Sequence, residues 1–373
     1  MAGIYIHIPF CRQKCTYCDF HFSTTYESYQ QEMVDAMIRE MELRSAEIGD
    51  ELIETIYFGG GTPSLLSGEQ LNALIQAVRK LFHVSETAEC TLEANPDDIS
   101  DTSMHTWTSA GINRMSIGVQ SFDDRDLGWM NRAHTGDQGL ESIKTAFRGG
   151  INNISLDLIY GLPEMDNQRW LEQVQQAIAL NVTHISAYCL TVEEKTVLHQ
   201  WVKQHKIKPA GNEQQSEHFE ILLKALEDAG YEQYEISNFA KPGYISRHNS
   251  NYWKGINYLG IGPSAHSFDG ERRSWNISNN QKYIRLVREG DSWSEQETLT
   301  PRDRYNEFIL TGLRTIWGVD LEKLSLLHSV PNGFERQLDE FQTKGWMQIQ
   351  HGHMVLTREG KLWADAIAQD LFI

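Results

Sequence analysis

Basic side chains are what this sequence is short of: 33 Lys and Arg stand against 51 Asp and Glu in 373 residues, a net charge of −18. Nucleic-acid binding takes much of its affinity from Lys and Arg on phosphates. A chain this acidic lacks the general basic field for it, and no nucleic-acid partner is expected. Long apolar runs are missing too. None approaches the roughly 18 residues of a membrane span, and no signal peptide precedes the first strand-like segment, so a cytoplasmic address is expected. Repeats and low-complexity segments are absent. Cysteine is scarce, with five residues. Cys11, Cys15 and Cys18 cluster, whereas Cys90 and Cys189 lie inside apolar strand-like segments and read as buried, inert thiols. What remains, 40% hydrophobic and 23% charged, is an ordinary globular composition, long enough for two domains.

The clustered cysteines stand in Cys11-Arg12-Gln13-Lys14-Cys15-Thr16-Tyr17-Cys18, a Cx3Cx2C spacing. The apolar run 4–8 before them reads as a strand that ends at Pro9 and delivers them on a loop. Three thiolates this close can grip three irons of a cubane cluster and leave the fourth without a protein ligand. A zinc site would want a fourth Cys or His nearby, and a redox pair would need only two cysteines; both stay open as alternatives at this point.

Downstream, an amphipathic helix is predicted over 29–48, with Met33, Met37 and Met41 as core packing. Strands at 55–58, 89–94, 114–120, 153–160 and 184–191 alternate with helices near 68–82, 100–110, 138–148 and 168–180. Six strands in such alternation imply a parallel sheet with right-handed crossovers. Their ends share a feature. Cysteines follow the first strand, Gly59-Gly60-Gly61-Thr62-Pro63 the second, Glu93-Ala94-Asn95-Pro96 the third and Gln120-Ser121-Phe122 the fourth, while the fifth passes Asp157 into Gly161-Leu162-Pro163. Parallel α/β barrels gather their sites at the C-terminal strand ends, so these groups are expected to form one site. From about 212 a helix, a passage at 234–240 and an aromatic, glycine-rich stretch at 247–268 are expected to extend the barrel. From about 302 the pattern turns helical, at 305–317 and 333–344. Two short strands then flank His351-Gly352-His353, which reads as a winged-helix-like module with a packing or partner role. The expected division is 1–295, including the extension at 212–295, and 296–373.

The cysteine spacing resembles the radical S-adenosylmethionine (SAM) superfamily. The wording Tyr5-Ile6-His7-Ile8-Pro9-Phe10-Cys11 looks like the branch that holds the oxygen-independent coproporphyrinogen III dehydrogenases and the HemW-like haem chaperones. The resemblance covers essentially the whole chain. It implies an α/β fold with a partial (β/α)6 barrel, and a [4Fe–4S] cluster on Cys11, Cys15 and Cys18 whose open iron takes the amino and carboxylate groups of SAM. It further implies SAM contacts from Tyr5, Tyr17, Gly61, Thr62, Pro63, Glu93, Gln120, Arg132 and Asp157. Their chemistry suits the ligand. Glycines 59–61 allow close backbone approach to the ammonium; Glu93, Gln120 and Asp157 can accept from the ammonium or the ribose hydroxyls; and Arg132 is a planar fork for the carboxylate. In the family reaction an electron, delivered to the cluster by a donor, cleaves SAM to methionine and a 5′-deoxyadenosyl radical that abstracts hydrogen from a substrate.

Within that branch an enzyme and a chaperone compete. The dehydrogenases follow their third cysteine with CxC, where this chain has Cys18-Asp19-Phe20, and they carry an N-terminal extension for which the stretch before Cys11 is short. Both departures weigh against oxidative decarboxylation of coproporphyrinogen, and no residue is assigned as catalytic. The chaperone reading rests on His248-Asn249-Ser250-Asn251-Tyr252-Trp253, which matches the HNxxYW element of that branch. A neutral imidazole is a common axial ligand for haem iron, and aromatics can pack on a porphyrin. His248, Asn249, Tyr252 and Trp253 are therefore the haem candidates, with a surface turn running into a core anchor as the bland alternative; His266 and His134 read as structural. The expectation is a haem chaperone that binds SAM and passes haem to acceptor proteins. By resemblance those acceptors belong to the respiratory chain. Contact with a membrane surface and a homodimer are left open.

Overall fold

Strand and helix alternate through the first half of the computed structural model, which describes residues Met1–Ile373. The elements run β1 Ala2–Ile8, α1 Gln30–Ile48, β2 Ile53–Gly60, α2 Gly68–Leu81, β3 Val84–Ala94, α3 Asp101–Ala110, β4 Arg114–Gln120, α4 Asp124–Trp129, α5 Gly136–Arg148, β5 Asn153–Tyr160, α6 Asn167–Ala179 and β6 His184–Cys189. Capping boxes start three of these helices, from Ser67 to Gln70, Ser100 to Ser103 and Thr135 to Gln138. Strands β1 to β6 are successive parallel neighbours, the partial barrel expected. Its register sets Tyr5 beside Tyr57, Glu93 beside Ser116 and Asp157 beside Ser186. Hydrogen bonds between Tyr57 and Glu93, Ser116 and Asp157, and Ser155 and Ser186 mark these positions as one inner face.

The second half continues with α7 Val197–Lys203, α8 Asn212–Asp228, β7 Glu232–Glu235, β8 Asn238–Ala240, α9 Arg247–Trp253, β9 Tyr258–Ile261, β10 His266–Phe268, β11 Arg272–Asn276, α10 Asn280–Glu289 and β12 Ser294–Thr298. The sheet grows to twelve strands: β9 lies parallel to β1 and leads through β10 and β11 to β12, while β8 and β7 continue antiparallel from β6. Three details depart from the sequence reading. The sixth strand stops at Cys189, two residues early. Helices α4, α7, α9 and α10 appear where none was expected; the first three have polar N-caps, Asp123, Thr196 and Ser246, but only six or seven residues, too few periods for an amphipathic pattern to register, while the ten-residue α10 was missed outright. Strand β12 runs across the 295/296 division, and its mostly exposed edge residues give no alternation to read.

The last elements are α11 Pro301–Leu313, β13 Val319–Asp320, α12 Leu321–Leu327, α13 Phe334–Thr343, β14 Met347–Gln350 and β15 His353–Leu356, followed by two short helices. Strand β15 pairs antiparallel with both β13 and β14. The module has its own core of 15 buried residues, separate from the barrel core of 61.

One buried charge ties the edge extension to the barrel. Glu40, on α1, accepts from Arg44 Nη1 at 2.8 Å, the Gly262 N–H at 2.8 Å, Asn276 Nδ2 at 2.7 Å, Trp293 Nε1 at 3.1 Å and the Tyr283 hydroxyl. Arg44 keeps Glu47 as a partner, but removing Glu40 takes the shared acceptor away from the buried Gly262 N–H, Asn276 and Tyr283 and from Trp293. Glu40→Ala is therefore expected to lose about 3–5 kcal/mol of stability, read as a lower urea midpoint. A loss below about 1 kcal/mol would contradict this role.

Candidate functional site

The cysteine loop is fastened on both sides. The Cys11 N–H donates to Ser23 O and the Ser23 N–H to Pro9 O, the Thr16 N–H donates to Met130 O, and the Leu198 N–H donates to Thr16 O. Asn131 Nδ2 adds a bond to Lys14 O at 2.8 Å. Behind the loop, the Gly61 N–H meets Ile8 O at 2.9 Å and the Thr62 N–H meets Phe10 O at 2.6 Å. A Cβ on Gly61 would lie 2.6 Å from Phe10 O, and one on Gly60, whose φ is +102°, would strike the His7 ring. The glycines thus serve the close approach of this strand end to the cysteine loop, and the Gly60 N–H is committed to Glu93 at 3.2 Å.

The strand ends enclose a cavity of about 440 Å³. Cys11, Cys15, Cys18, Tyr17, Gly61, Thr62, Glu93, Gln120, Arg132 and Asp157 all line it, as does Asn249. Two expected residues lie elsewhere: Tyr5 lines a second cavity, and Pro63 is buried at the head of the short 3-10 turn Pro63–Leu65. Cys189, expected to be buried, is half-buried and borders the first cavity, because β6 ends there. Asn95 was not singled out from sequence. It joins the set through Nδ2 to Thr62 Oγ1 at 3.3 Å and Oδ1 from Arg132 Nη2 at 2.8 Å. Its signals were its place in the strand-end group Glu93-Ala94-Asn95-Pro96 and the period of two from Glu93.

The donors suit an iron–sulfur cluster. Thr62 Oγ1 donates to Cys11 Sγ at 3.4 Å and Arg132 Nη1 to Cys15 Sγ at 3.5 Å, so two sulfurs already have the hydrogen-bond donors that a thiolate ligand wants. Burial pushes the Cys11 thiol up to about 11 and Cys18 to about 12; a thiolate at either position calls for a compensating cation, which iron supplies. No three His, Cys, Asp or Glu side chains converge as a single-ion site requires, and a cubane, gripped at separate irons, does not need that convergence.

Two carboxylates sit deeper in the lumen. Glu93 accepts from the Tyr57 hydroxyl at 2.7 Å; burial, together with the charge of Asp157, pushes it up to about 7. Asp157 accepts from Ser116 Oγ at 3.1 Å and from Ser155 Oγ at 3.3 Å, and burial pushes it up to about 6. The fully buried Arg114 guanidinium pulls both back down, while its own three nitrogens have no hydrogen-bond acceptor. Arg132 Nη2 is spent on Gly118 O at 2.7 Å and on Asn95, but its buried Nε is without an acceptor. An orphan Nε–H and two carboxylates among the residues of one cavity suit a ligand with a carboxylate and an ammonium.

The HNxxYW element is a helix inside the fold. Helix α9 starts with the Arg247 and His248 N–H groups donating to the Glu89 carboxylate at 3.2 and 3.0 Å, a favourable place for negative charge. The surface turn considered from sequence is thereby corrected, since His248 is 1% exposed. Its Nδ1 bonds Thr55 Oγ1 at 2.8 Å, its Nε2 bonds the Tyr252 hydroxyl at 2.9 Å, and its ring stacks on Tyr57 with centroids 4.9 Å apart. Burial lowers it to about 3, so the imidazole is neutral. With Tyr5, Tyr57, Tyr188, Tyr252, Trp253 and Arg314 it lines the second cavity, of about 390 Å³, which shares Tyr57, Glu93, Tyr188 and Asn249 with the first.

Residues 5–176 match the model of the Radical SAM superfamily and 299–363 that of the HemN C-terminal domain, so the barrel and the module behind it have the parts of a radical SAM protein of the HemN type. The solved structure described as coproporphyrinogen III oxidase (HemN) from Escherichia coli superposes with a TM-score of 0.84, covering 100% of this chain and 90% of that one at 22% identity, a likeness of fold. The relatives are more specific. Heme chaperone HemW of Bacillus subtilis (strain 168) is 35% identical, covering 98% of both chains, and that of Escherichia coli (strain K12) is 32% identical, covering 98% and 97%. This chain belongs to the HemW family.

Replacing Cys11, Cys15 or Cys18 with Ala is expected to abolish the EPR signal of a reduced, reconstituted cluster, with Cys90→Ala leaving it intact. Loss of the signal in Cys90→Ala with the fold preserved would contradict the ligand set. The carboxylates give a pH test. Glu93 is ionised above about pH 7 and protonated below it, so affinity for an ammonium-bearing ligand such as SAM is expected to fall by up to about tenfold per pH unit below 7. Binding that stays flat from pH 8 to 6 would exclude a charged contact with Glu93.

Proposed function

We propose that this protein is a haem chaperone that carries a [4Fe–4S] cluster on Cys11, Cys15 and Cys18, binds SAM beside it, and hands haem to acceptor proteins. The observation that carries the reading is the second cavity: the HNxxYW helix gives it a neutral imidazole and flat aromatic faces, directly beside the cavity with the cysteines. The names of the relatives support it. When bound, the cluster would supply an open iron and one electron. Around it, Arg132 Nε would orient the carboxylate of SAM, Glu93 and Asp157 would hold its ammonium or hydroxyls, and Gln120 and Tyr17 would border the nucleoside.

For His248 to ligate haem iron through Nε2, the Tyr252 hydroxyl has to leave that nitrogen. Haem uptake is therefore coupled to a rotation of Tyr252. The lowered His248 suits this role, because a ligating nitrogen must be unprotonated and burial keeps it so at any physiological pH. The same reading takes the address as cytoplasmic, in keeping with the lack of any helix long and apolar enough to cross a membrane. It also takes an electron donor and respiratory haem acceptors as partners; contact with a membrane surface and a homodimer would be compatible with it.

Haem titration of the cluster-loaded protein tests the assignment. His248→Ala is expected to bind haem more weakly, with a changed Soret band and unchanged cluster content. Tyr252→Phe, which frees Nε2, should bind at least as tightly as the parent. Wild-type affinity and spectrum in His248→Ala would overturn the ligand assignment, and weakening in Tyr252→Phe equal to that in His248→Ala would make the pair structural.

A further inference from the structure

Arg314 belongs to the C-terminal module, directly after α11, yet it is part of the wall of the second cavity. The segment it begins is stitched to the barrel extension: the Ile236 N–H donates to Arg314 O at 3.1 Å, the Ile316 N–H donates to Tyr234 O at 3.0 Å, and the Lys254 ammonium lies 4.0 Å from the Trp317 ring centroid. These bonds fix where the guanidinium sits. Its carbon is 5.7 Å from the Trp253 ring centroid, so cation and aromatic wall form one surface.

The guanidinium is incompletely used. Nη1 bonds Asp365 at 3.0 Å, a side chain that is 78% exposed and so a weak partner. Nε lies 3.4 Å from Glu235 Oε1, but in a geometry that leaves this buried N–H without an acceptor. The other Glu235 oxygen is committed to the Ser237 N–H and Asn238 Nδ2. Among the residues lining the cavity Arg314 is the one cation, since His248 is neutral, and Glu93 and Glu235 are the acids. In a chain of net charge −18, an anionic ligand enters such a cavity only against a local positive group.

We propose that the second cavity takes a flat aromatic ligand bearing a carboxylate, and that Arg314 holds that carboxylate in place of its exposed partner Asp365. The inference rests on the haem reading, under which the carboxylate is a haem propionate and the aromatic faces are those of Tyr57, Tyr252 and Trp253. The C-terminal module then contributes to ligand selection through a single side chain. Arginine suits this better than lysine would, because its planar fork can meet both carboxylate oxygens while its face stays on Trp253.

The test uses the full-length, cluster-loaded protein and two probes, haem and haem dimethyl ester, which share iron and macrocycle and differ in whether the carboxylates are free. Soret titrations of the wild type are expected to favour haem over the ester by about tenfold or more, the size of a charge-assisted hydrogen bond. Arg314→Met should lose that preference, chiefly by weaker binding of the free acid, and Arg314→Lys should recover part of it. A wild type that binds the ester as tightly as the acid overturns the proposal, and does so even if Arg314→Met fails to fold; so does an Arg314→Met protein that keeps the preference. Binding of neither probe by the wild type would instead overturn the haem reading on which the proposal stands.

Discussion

Everything at the strand ends depends on how closely β2 approaches the cysteine loop. Two backbone bonds set that approach, Gly61 N–H to Ile8 O and Thr62 N–H to Phe10 O, and neither tolerates a side chain at Gly61. Once they form, Thr62 Oγ1 reaches Cys11 Sγ, and Asn95 links Thr62 to Arg132, whose Nη1 reaches Cys15 Sγ. A chain of short polar contacts thus carries the position of β2 past the end of β3 to the connection between α4 and α5. This is how a parallel barrel turns a strand register into a preorganised site.

Below that layer the lumen is held by charges that are buried but not neutralised. Glu93 and Asp157 are raised by burial, and Arg114 lies among them without a direct acceptor. Buried polar groups in this condition cost stability and are kept where a ligand completes them. Helix α9 closes the same lumen from beneath. Because Glu89 holds its first turn and Thr55 holds His248, the HNxxYW element is fixed by the strands that also bear Tyr57 and Glu93. The two cavities therefore share walls, formed by Tyr57, Glu93, Tyr188 and Asn249.

Much of this was legible in the sequence where an element was long or strictly periodic. Strands 114–120 and 153–160 fall as read, because apolar runs bounded by turn residues mark them plainly. The convergence of the three cysteines, Glu93, Gln120 and Asp157 on one cavity followed from the strand ends, whereas Arg132 was placed there only by the family resemblance. What was not legible depends on tertiary contacts. The seven-residue α9 has too few periods to read, and the bonds of His248 to Thr55 and Tyr252, which make it a packed, buried group, have no trace in the sequence. Asn95 and Arg314 come to line the two cavities only through partners far away in the chain, and β12, polar along its exposed edge, gave no signal.

Under the proposed function this radical SAM barrel carries haem and does not oxidise a porphyrinogen. The most direct measurement is an anaerobic assay of the reconstituted protein with SAM, a strong reductant and coproporphyrinogen III, followed by fluorescence of the oxidised products. SAM is expected to perturb the EPR spectrum of the reduced cluster while coproporphyrinogen is recovered unchanged. Catalytic formation of protoporphyrinogen would contradict the proposed function and make the protein an oxidative decarboxylase.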